Sequence, residues 1–545
     1  MFDLIITGGT VIDGTRRPRL QADVAVERGR IRLLSPRTAA PAQDVLDASG
    51  LIVAPGFIDM RSHSDWGILY DPQAEARLTQ GVTTEVMGKC GYSAAPLPNP
   101  RVSPWWTPQD TREMLRQAGI EPDWRDYGGY LECVEAVRPG VNVLAAVGHN
   151  TIRSAVMGSD DRPPTPAELE RMQALVRDAM EAGAFAFSTG LIHAPGRFAS
   201  TEEIEALCRV VAYYGGHYDT HVRSETDHLL DAINEAIGIA RRTGVKLEIA
   251  HLKVLGARQW GRIGEALAAI EAAWARGIPI GVDAYPYTVP GATQSGLSDL
   301  LPPSLAALSE GAFALLDDET ARTRAAAALE HTMANGDGDD RAWLQLAGGP
   351  GRVVLTRSKE AAHADLLGMT FEEIGDWRRV PPSRAMIDVA CEARGRGSVV
   401  FHVMSEEDVA AVVRSTFVGV GSDGRVGLRQ GLPDGPLPHP RNYGAFPRVI
   451  GKYARDRGVL SMEEAIWKMT GLNAERLGLR DRGRVVDGCW ADLVVFDPET
   501  IEDRATYNRP WATTSGIRWL LVNGQVALDH GRLTGVRSGR VLRRR

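Results

Sequence analysis

Cysteine is scarce in this chain, and long apolar runs are missing. The five cysteines, Cys90, Cys133, Cys208, Cys391 and Cys489, are odd in number and follow no regular spacing, which excludes a disulfide framework and fits a reducing compartment. No segment reaches the ~18 apolar residues of a membrane-spanning helix. Residues 1–10 carry an early acid, no basic leader and an apolar run too short for a signal peptide, so a cytoplasmic location is expected. A charge excess of one sign is also missing: 62 Lys and Arg stand against 69 Asp and Glu, a net charge of -7. The signs are interspersed, so neither a nucleic acid nor an anionic membrane is expected as a partner. No glycine-rich phosphate loop opens a helix, which counts against a dinucleotide fold. Only residues 537–545 are locally basic, and the expectation for them is a solvated, frayed tail.

What is present is size and alternation. A chain of 545 residues exceeds what one hydrophobic core organises, so a large domain and a smaller one are expected. Residues 1–55 read as short strands with tight turns, and residues 481–545 repeat that style around an Asn523-Gly524 turn; the two ends are expected to form one small β-sandwich. Between them, over 56–480, eight β-branched segments (57–63, 83–87, 141–147, 185–189, 218–222, 246–251, 278–284 and 418–423) alternate with amphipathic helical stretches such as 166–183, 201–214, 229–244 and 263–277. Eight βα units of this kind predict an α/β fold, a TIM-type (β/α)8 barrel. The long gap between strands seven and eight predicts an insertion at about 290–350. Within it, the Gly/Asp-rich residues 335–340 lack the downstream glutamate of a calcium loop and read as a surface loop. Thr165 with Glu168, and Ser405, read as helix caps.

In such a barrel the reacting groups sit where strands end. His63 closes the first strand, Cys90 follows the second, His221 closes the fifth, His251 the sixth and Asp423 the eighth. One thiolate and two imidazoles, Cys90, His221 and His251, make a three-ligand set that suits Zn²⁺ and leaves a position open for water. Such a metal would lower the pKa of that water and polarise a carbonyl, and Asp423 could take its proton and pass it to a leaving nitrogen. This chemistry is amide hydrolysis. His149 is a candidate partner behind the ligands, whereas His402 and His439 read as loop or packing residues. Arg61-Ser62-His63 stands where a metal-dependent hydrolase would usually present His-x-His; a guanidinium has no free lone pair and cannot ligate a metal.

The segments Pro55-Gly56-Phe57-Ile58-Asp59, Gly88-Lys89-Cys90-Gly91, Ser188-Thr189-Gly190-Leu191, Thr220-His221-Val222-Arg223, Gly421-Ser422-Asp423-Gly424, Pro438-His439-Pro440-Arg441 and Asn473-Ala474-Glu475 resemble the amidohydrolase superfamily, and within it the N-acyl-D-amino-acid deacylases. The resemblance implies a terminal β-sandwich, a TIM barrel, a tightly held zinc on Cys90, His221 and His251, and Asp423 as general base and acid. It implies a second, weaker metal with His63 as a ligand, and Lys253 and Tyr285 around the substrate's carboxylate. Arg223, Arg61 and His193 complete the expected substrate-binding set. Three positions depart from the family pattern: Arg61 replaces a histidine, Lys89 an asparagine and His193 a tyrosine. Arg61 sets a fixed positive charge where the second metal would lie, so one zinc is expected.

The expected activity is zinc-dependent hydrolysis of a small-molecule N-acyl-amino acid, of D configuration by family likeness, with the oligomeric state open. Two alternatives stand beside it. The same site could act on a cyclic amide, a carbamoyl compound or a dipeptide. Alternatively, Arg61 could pair with Asp423 and leave a hydrolytically impaired binding or scaffold protein.

Overall fold

A computed structural model describes residues 1–35, 40–96, 109–291, 294–301, 310–335, 343–427 and 437–544. At its centre eight parallel strands follow one another around a barrel: Phe57–Asp59, Val82–Met87, Asn142–Gly148, Ala186–Gly190, His217–His221, Lys246–Ile249, Ile280–Ala284 and Val418–Val420. All eight expected strands are found, with ends that coincide or shift by up to four residues. Their legibility has a physical cause. Parallel strands covered by helices are buried on both faces and read as continuous apolar or β-branched runs; every residue of Val82–Met87 and of Asn142–Gly148 is buried.

The ring closes between the first and last strands. Ser62 and Gly424 form a parallel bridge, and the Asn473 side-chain amide donates to Ile58 O at 2.7 Å and to Val420 O at 3.0 Å. One buried amide thus satisfies a carbonyl on each side of the seam, which gives the Asn473-Ala474-Glu475 motif its structural meaning. The expected helices form the outer layer as Pro166–Glu181, Thr201–Tyr213, Leu229–Thr243 and Ile263–Ala275. Thr165 and Glu168 make a reciprocal capping box, and the Ser405 hydroxyl accepts from the amides of Glu407 and Asp408.

Strands from the two ends of the sequence share a seven-stranded sheet in which Ile52–Pro55 pairs antiparallel with Leu493–Phe496. A four-stranded sheet, with Phe2–Thr7 between Asp23–Glu27 and Ala42–Asp47, packs on it through Ile6, Val24, Val26, Val53, Val495 and Trp519. Asn523 and Gly524, both with positive φ (50° and 84°), form the tight turn between Ile517–Val522 and Gln525–Asp529.

The segment between the seventh and eighth barrel strands carries its own three-stranded sheet, ordered Gln294–Gly296, Gly397–Phe401, Val353–Ser358, with the helices Glu319–Asn335 and Pro382–Glu392. This added layer therefore continues past residue 350. The loop residues 336–340 lie outside the described residues. The basic C-terminal stretch is not frayed as expected. Val143 N donates to Arg540 O, Leu542 N to Val143 O and Arg544 N to Gly183 O, while Arg540 lies over the Trp490 ring. Its alternating Val541 and Leu542 supply apolar contacts that a count of charges does not register.

Candidate active site

The second barrel strand ends at Met87, and its chain must then turn beneath the third. Gly88 makes this possible: its φ is +82°, and a Cβ there would lie 2.0 Å from Ala146 O. The turn delivers Lys89 and Cys90 into the barrel mouth. Cys90, His251 and Asp423 all have positive φ, of 53°, 29° and 52°. Side-chain-bearing residues are held in that region at a cost of about 1–3 kcal/mol each, and such strain gathers at functional sites. Three different strand ends carry it here, at three of the residues singled out from sequence.

Those residues converge. One donor atom each from Cys90, His221 and His251 lie within 4.8 Å of one another, and all three residues are buried; His63, Cys90 and Asp423 form a second such group. Cys90 Sγ is 3.4 Å from His251 Nε2, and the two imidazole rings stand nearly perpendicular with centroids 4.4 Å apart. His221 is buried; its Nε2 lies 3.4 Å from Glu225 Oε1, and its Nδ1 has no hydrogen-bond partner among the described residues, an arrangement that costs free energy unless something else occupies it. Burial, reinforced by the Lys253 ammonium, pushes the His251 imidazole down to about 4, so it stands neutral, the form that binds a metal. A sulfur and two imidazoles gathered at one buried place, with the Nδ1 of His221 unpartnered among the described residues, fit zinc.

Asp423 accepts from or shares a proton with His63 Nε2 at 3.1 Å and pairs with Arg441 Nη1 at 2.6 Å. Burial alone would raise its carboxyl, but the Arg441 guanidinium, with the hydrogen bond to His63, holds it well below the usual carboxylate range. The alternative in which Asp423 pairs with Arg61 is not formed: Arg61 pairs with Asp219 and Asp283.

Arg61 instead lies beneath the mouth, 0% exposed. Its Nε and Nη2 donate to Asp283 at 2.8 and 2.7 Å, Nη2 also reaches both oxygens of Asp219, at 3.0 and 2.9 Å, and Nη1 approaches Cys90 Sγ at 3.7 Å. Lys89 Nζ donates to Asp219 as well, at 2.9 Å. Two cations and two carboxylates thus close on themselves in the interior. Arg61 was expected at the substrate; its guanidinium is instead enclosed by Asp219, Asp283 and the Cys90 sulfur and is fully buried. Asp219 and Asp283 were missed from sequence. The signal available was period-two alternation, which sets Asp219 on the same strand face as His221.

The remaining expected residues divide. The His193 ring stands edge-on to His221 at 5.1 Å, at the mouth. The Tyr285 ring lies 6.3 Å from that of His251, beneath the Arg441 guanidinium at 5.0 Å. Lys253 is buried, pairs with Glu225 and approaches His251 Nδ1 at 2.9 Å. Arg223 is drawn aside: it binds Glu235 through two nitrogens and the carbonyls of Arg197 and Ala199. His149 is held by Glu203 at 2.8 Å. His439 spends both nitrogens on backbone, at Val289 O and Arg441 N. Sequence reasoning passed over Glu225, and it quoted Arg441 in the Pro438-His439-Pro440-Arg441 motif without giving it a role. Arg441 is buried, and its Nε makes no hydrogen bond among the described residues.

Residues 44–368 and 417–528 match the model of the amidohydrolase family. The chain is 36% identical to the D-aminoacylase of Alcaligenes xylosoxydans xylosoxydans over 100% of its own length and 98% of that protein's. It superposes with a TM-score of 0.76, at 33% identity and 99% coverage of both chains, on the N-acyl-D-glutamate deacylase of Bordetella bronchiseptica complexed with zinc and a phosphonate mimic of the tetrahedral intermediate. A D-aminoacylase structure described by a binuclear metal centre with one-metal activation and second-metal attenuation matches with a TM-score of 0.76 at 35% identity, over all of both chains. Among the described residues, no helix is long and apolar enough to cross a membrane.

Proposed function

Because the chain belongs to the amidohydrolase family, with D-aminoacylases among its full-length relatives, we propose that it hydrolyses the amide bond of an N-acyl-D-amino acid to a carboxylate and a free amino acid. The observation that carries this is the convergence of Cys90, His221 and His251 beside the ionised Asp423, with the buried Nδ1 of His221 left without a hydrogen bond among the described residues. Cys90, His221 and His251 would hold a single zinc, which when bound supplies a Lewis acid for the acyl carbonyl and lowers the pKa of a water. Asp423 takes a proton from the attacking water and later returns it to the leaving amine nitrogen. His63 steadies that carboxylate from one side and Arg441 from the other. Arg441, stacked on Tyr285 and with its buried Nε free of hydrogen bonds among the described residues, receives the substrate's α-carboxylate, with Lys253 and His193 flanking it. A guanidinium fork matches a carboxylate in two-point geometry. The reading of one ion rather than two is supported by Arg61, whose fixed positive charge stands at the Cys90 sulfur, a member of the group His63, Cys90 and Asp423 that would hold a second ion.

Elemental analysis of the purified protein is expected to find about one zinc per chain, and N-acetyl-D-amino acids to release free amine while their L enantiomers do not. A metal-free chain that still turns over, or a Cys90→Ala variant with undiminished activity, would sink the proposal. Arg441→Ala is expected to raise KM for N-acetyl-D-amino acids about 10–100-fold, the worth of one charge-assisted pair. It should leave binding of an uncharged N-acyl amine nearly unchanged. An equal loss for both substrates would remove Arg441 from carboxylate recognition.

A further inference from the structure

Glu225 is fully buried four residues after His221, on the loop that leaves the fifth barrel strand. Its Oε1 lies 3.4 Å from His221 Nε2 and 3.3 Å from His251 Nδ1, and it pairs with Lys253 Nζ. One carboxylate oxygen therefore faces a nitrogen on each of two imidazoles that come from different strands.

An imidazole that binds a metal through one nitrogen must carry its proton on the other, and whatever accepts that proton fixes the tautomer and the ring's orientation. His251 presents Nε2 to the Cys90 sulfur, so its proton belongs on Nδ1. There it has two neighbours, Lys253 Nζ at 2.9 Å and Glu225. The ammonium has donors only and cannot receive an N–H; the carboxylate can. The same oxygen faces Nε2 of His221, which leaves Nδ1 of that ring for a ligand. The neighbouring Lys253 compensates the charge of a carboxylate that would otherwise be buried alone.

We infer that Glu225 is the positioning residue of this site: a single carboxylate that sets the tautomers of His221 and His251 together and so determines how tightly the metal is held. The assignment rests on the zinc reading above. It adds a residue that touches neither the metal nor the substrate.

The test is zinc affinity, measured by competition with a chromophoric chelator on the full-length protein. Glu225→Gln keeps the shape but replaces the charged carboxylate oxygen that faces both N–H groups by a neutral, weaker acceptor. It is expected to weaken zinc binding about 10–100-fold and to shift the visible d–d bands of the cobalt-substituted protein, with an unchanged far-ultraviolet circular dichroism spectrum. Lys253→Met leaves the carboxylate facing both imidazoles and is expected to lose less than tenfold in zinc affinity. Zinc affinity of Glu225→Gln equal to wild type, with unshifted cobalt bands, would overturn the assignment while the zinc reading stands. Equal losses in Glu225→Gln and Lys253→Met would overturn it in favour of a simple ion pair. A wild-type chain that binds no zinc would overturn both readings at once.

Discussion

Asp423→Asn is expected to cut kcat/KM for an N-acetyl-D-amino acid by about 10²–10⁴, the range that a positioned proton-transfer group contributes, with zinc still at one per chain. The substitution conserves volume and can still accept a hydrogen bond from His63, but it cannot take a proton from water or return one to the leaving amine. Arg441 would lose its partner carboxylate, so a rise in KM should accompany the fall in kcat. The two effects can be told apart with an N-acyl amine that lacks a carboxylate: its kcat/KM should fall by the proton-transfer factor alone. Should Asp423→Asn retain more than a tenth of wild-type kcat, the general base lies elsewhere, and His63 becomes the group to remove.

Arg61→Ala is expected to destabilise the fold by about 3–5 kcal/mol, the cost of removing one partner from a buried charge network. Asp283 would lose its strongest ion pair, and Asp219 would keep only Lys89. Burial alone would raise the Asp219 carboxyl, and Arg61 followed by Lys89 lowers it below its ordinary value; without the guanidinium only Lys89 is left to offset burial in the enclosed interior. Denaturant titration measures the effect directly. The same loss should shrink when Asp283→Asn is introduced first, because the charge left unpaired is then already gone. A loss below 1 kcal/mol would mean that water reaches this cluster and that its enclosure is not maintained. The prediction also separates two views of Arg61. From sequence it is a foreign charge in a metal site; in the fold it is the central cation of a neutral interior network.

Much of this molecule can be read in its residues because the relevant signals are local. Val82–Met87 and Asn142–Gly148 announce buried parallel strands by composition, and Thr165 with Glu168 marks a helix start three residues apart. Cys90, His221, His251 and Asp423 were legible because in a parallel barrel every strand end faces the same mouth, so strand position alone implies convergence. The illegible parts all depend on register between elements distant in sequence. Arg61 could be placed near Asp423, a substrate or a water; its capture by Asp219 and Asp283 follows from the fifth and seventh strands facing the first across the barrel interior. Glu225 and Arg441 carry no strand-end signal, since one sits on a loop and the other opens the helix Arg441–Arg448. Arg223 shows the converse: adjacency to His221 suggested the mouth, yet Glu235 on the following helix turns it away.

The sheet shared by both ends of the sequence bears on how the molecule is made. Ile52–Pro55 leaves the ribosome early but must wait for Leu493–Phe496 before its second edge is paired. At about 5–20 residues per second that wait lasts tens of seconds. Throughout it, Val53 and Ala54 offer an open, apolar strand edge to any neighbouring nascent chain. Overexpression should therefore be limited by misassembly during translation, and slowing synthesis by lower temperature or weaker induction should improve the soluble yield more than strengthening the finished fold.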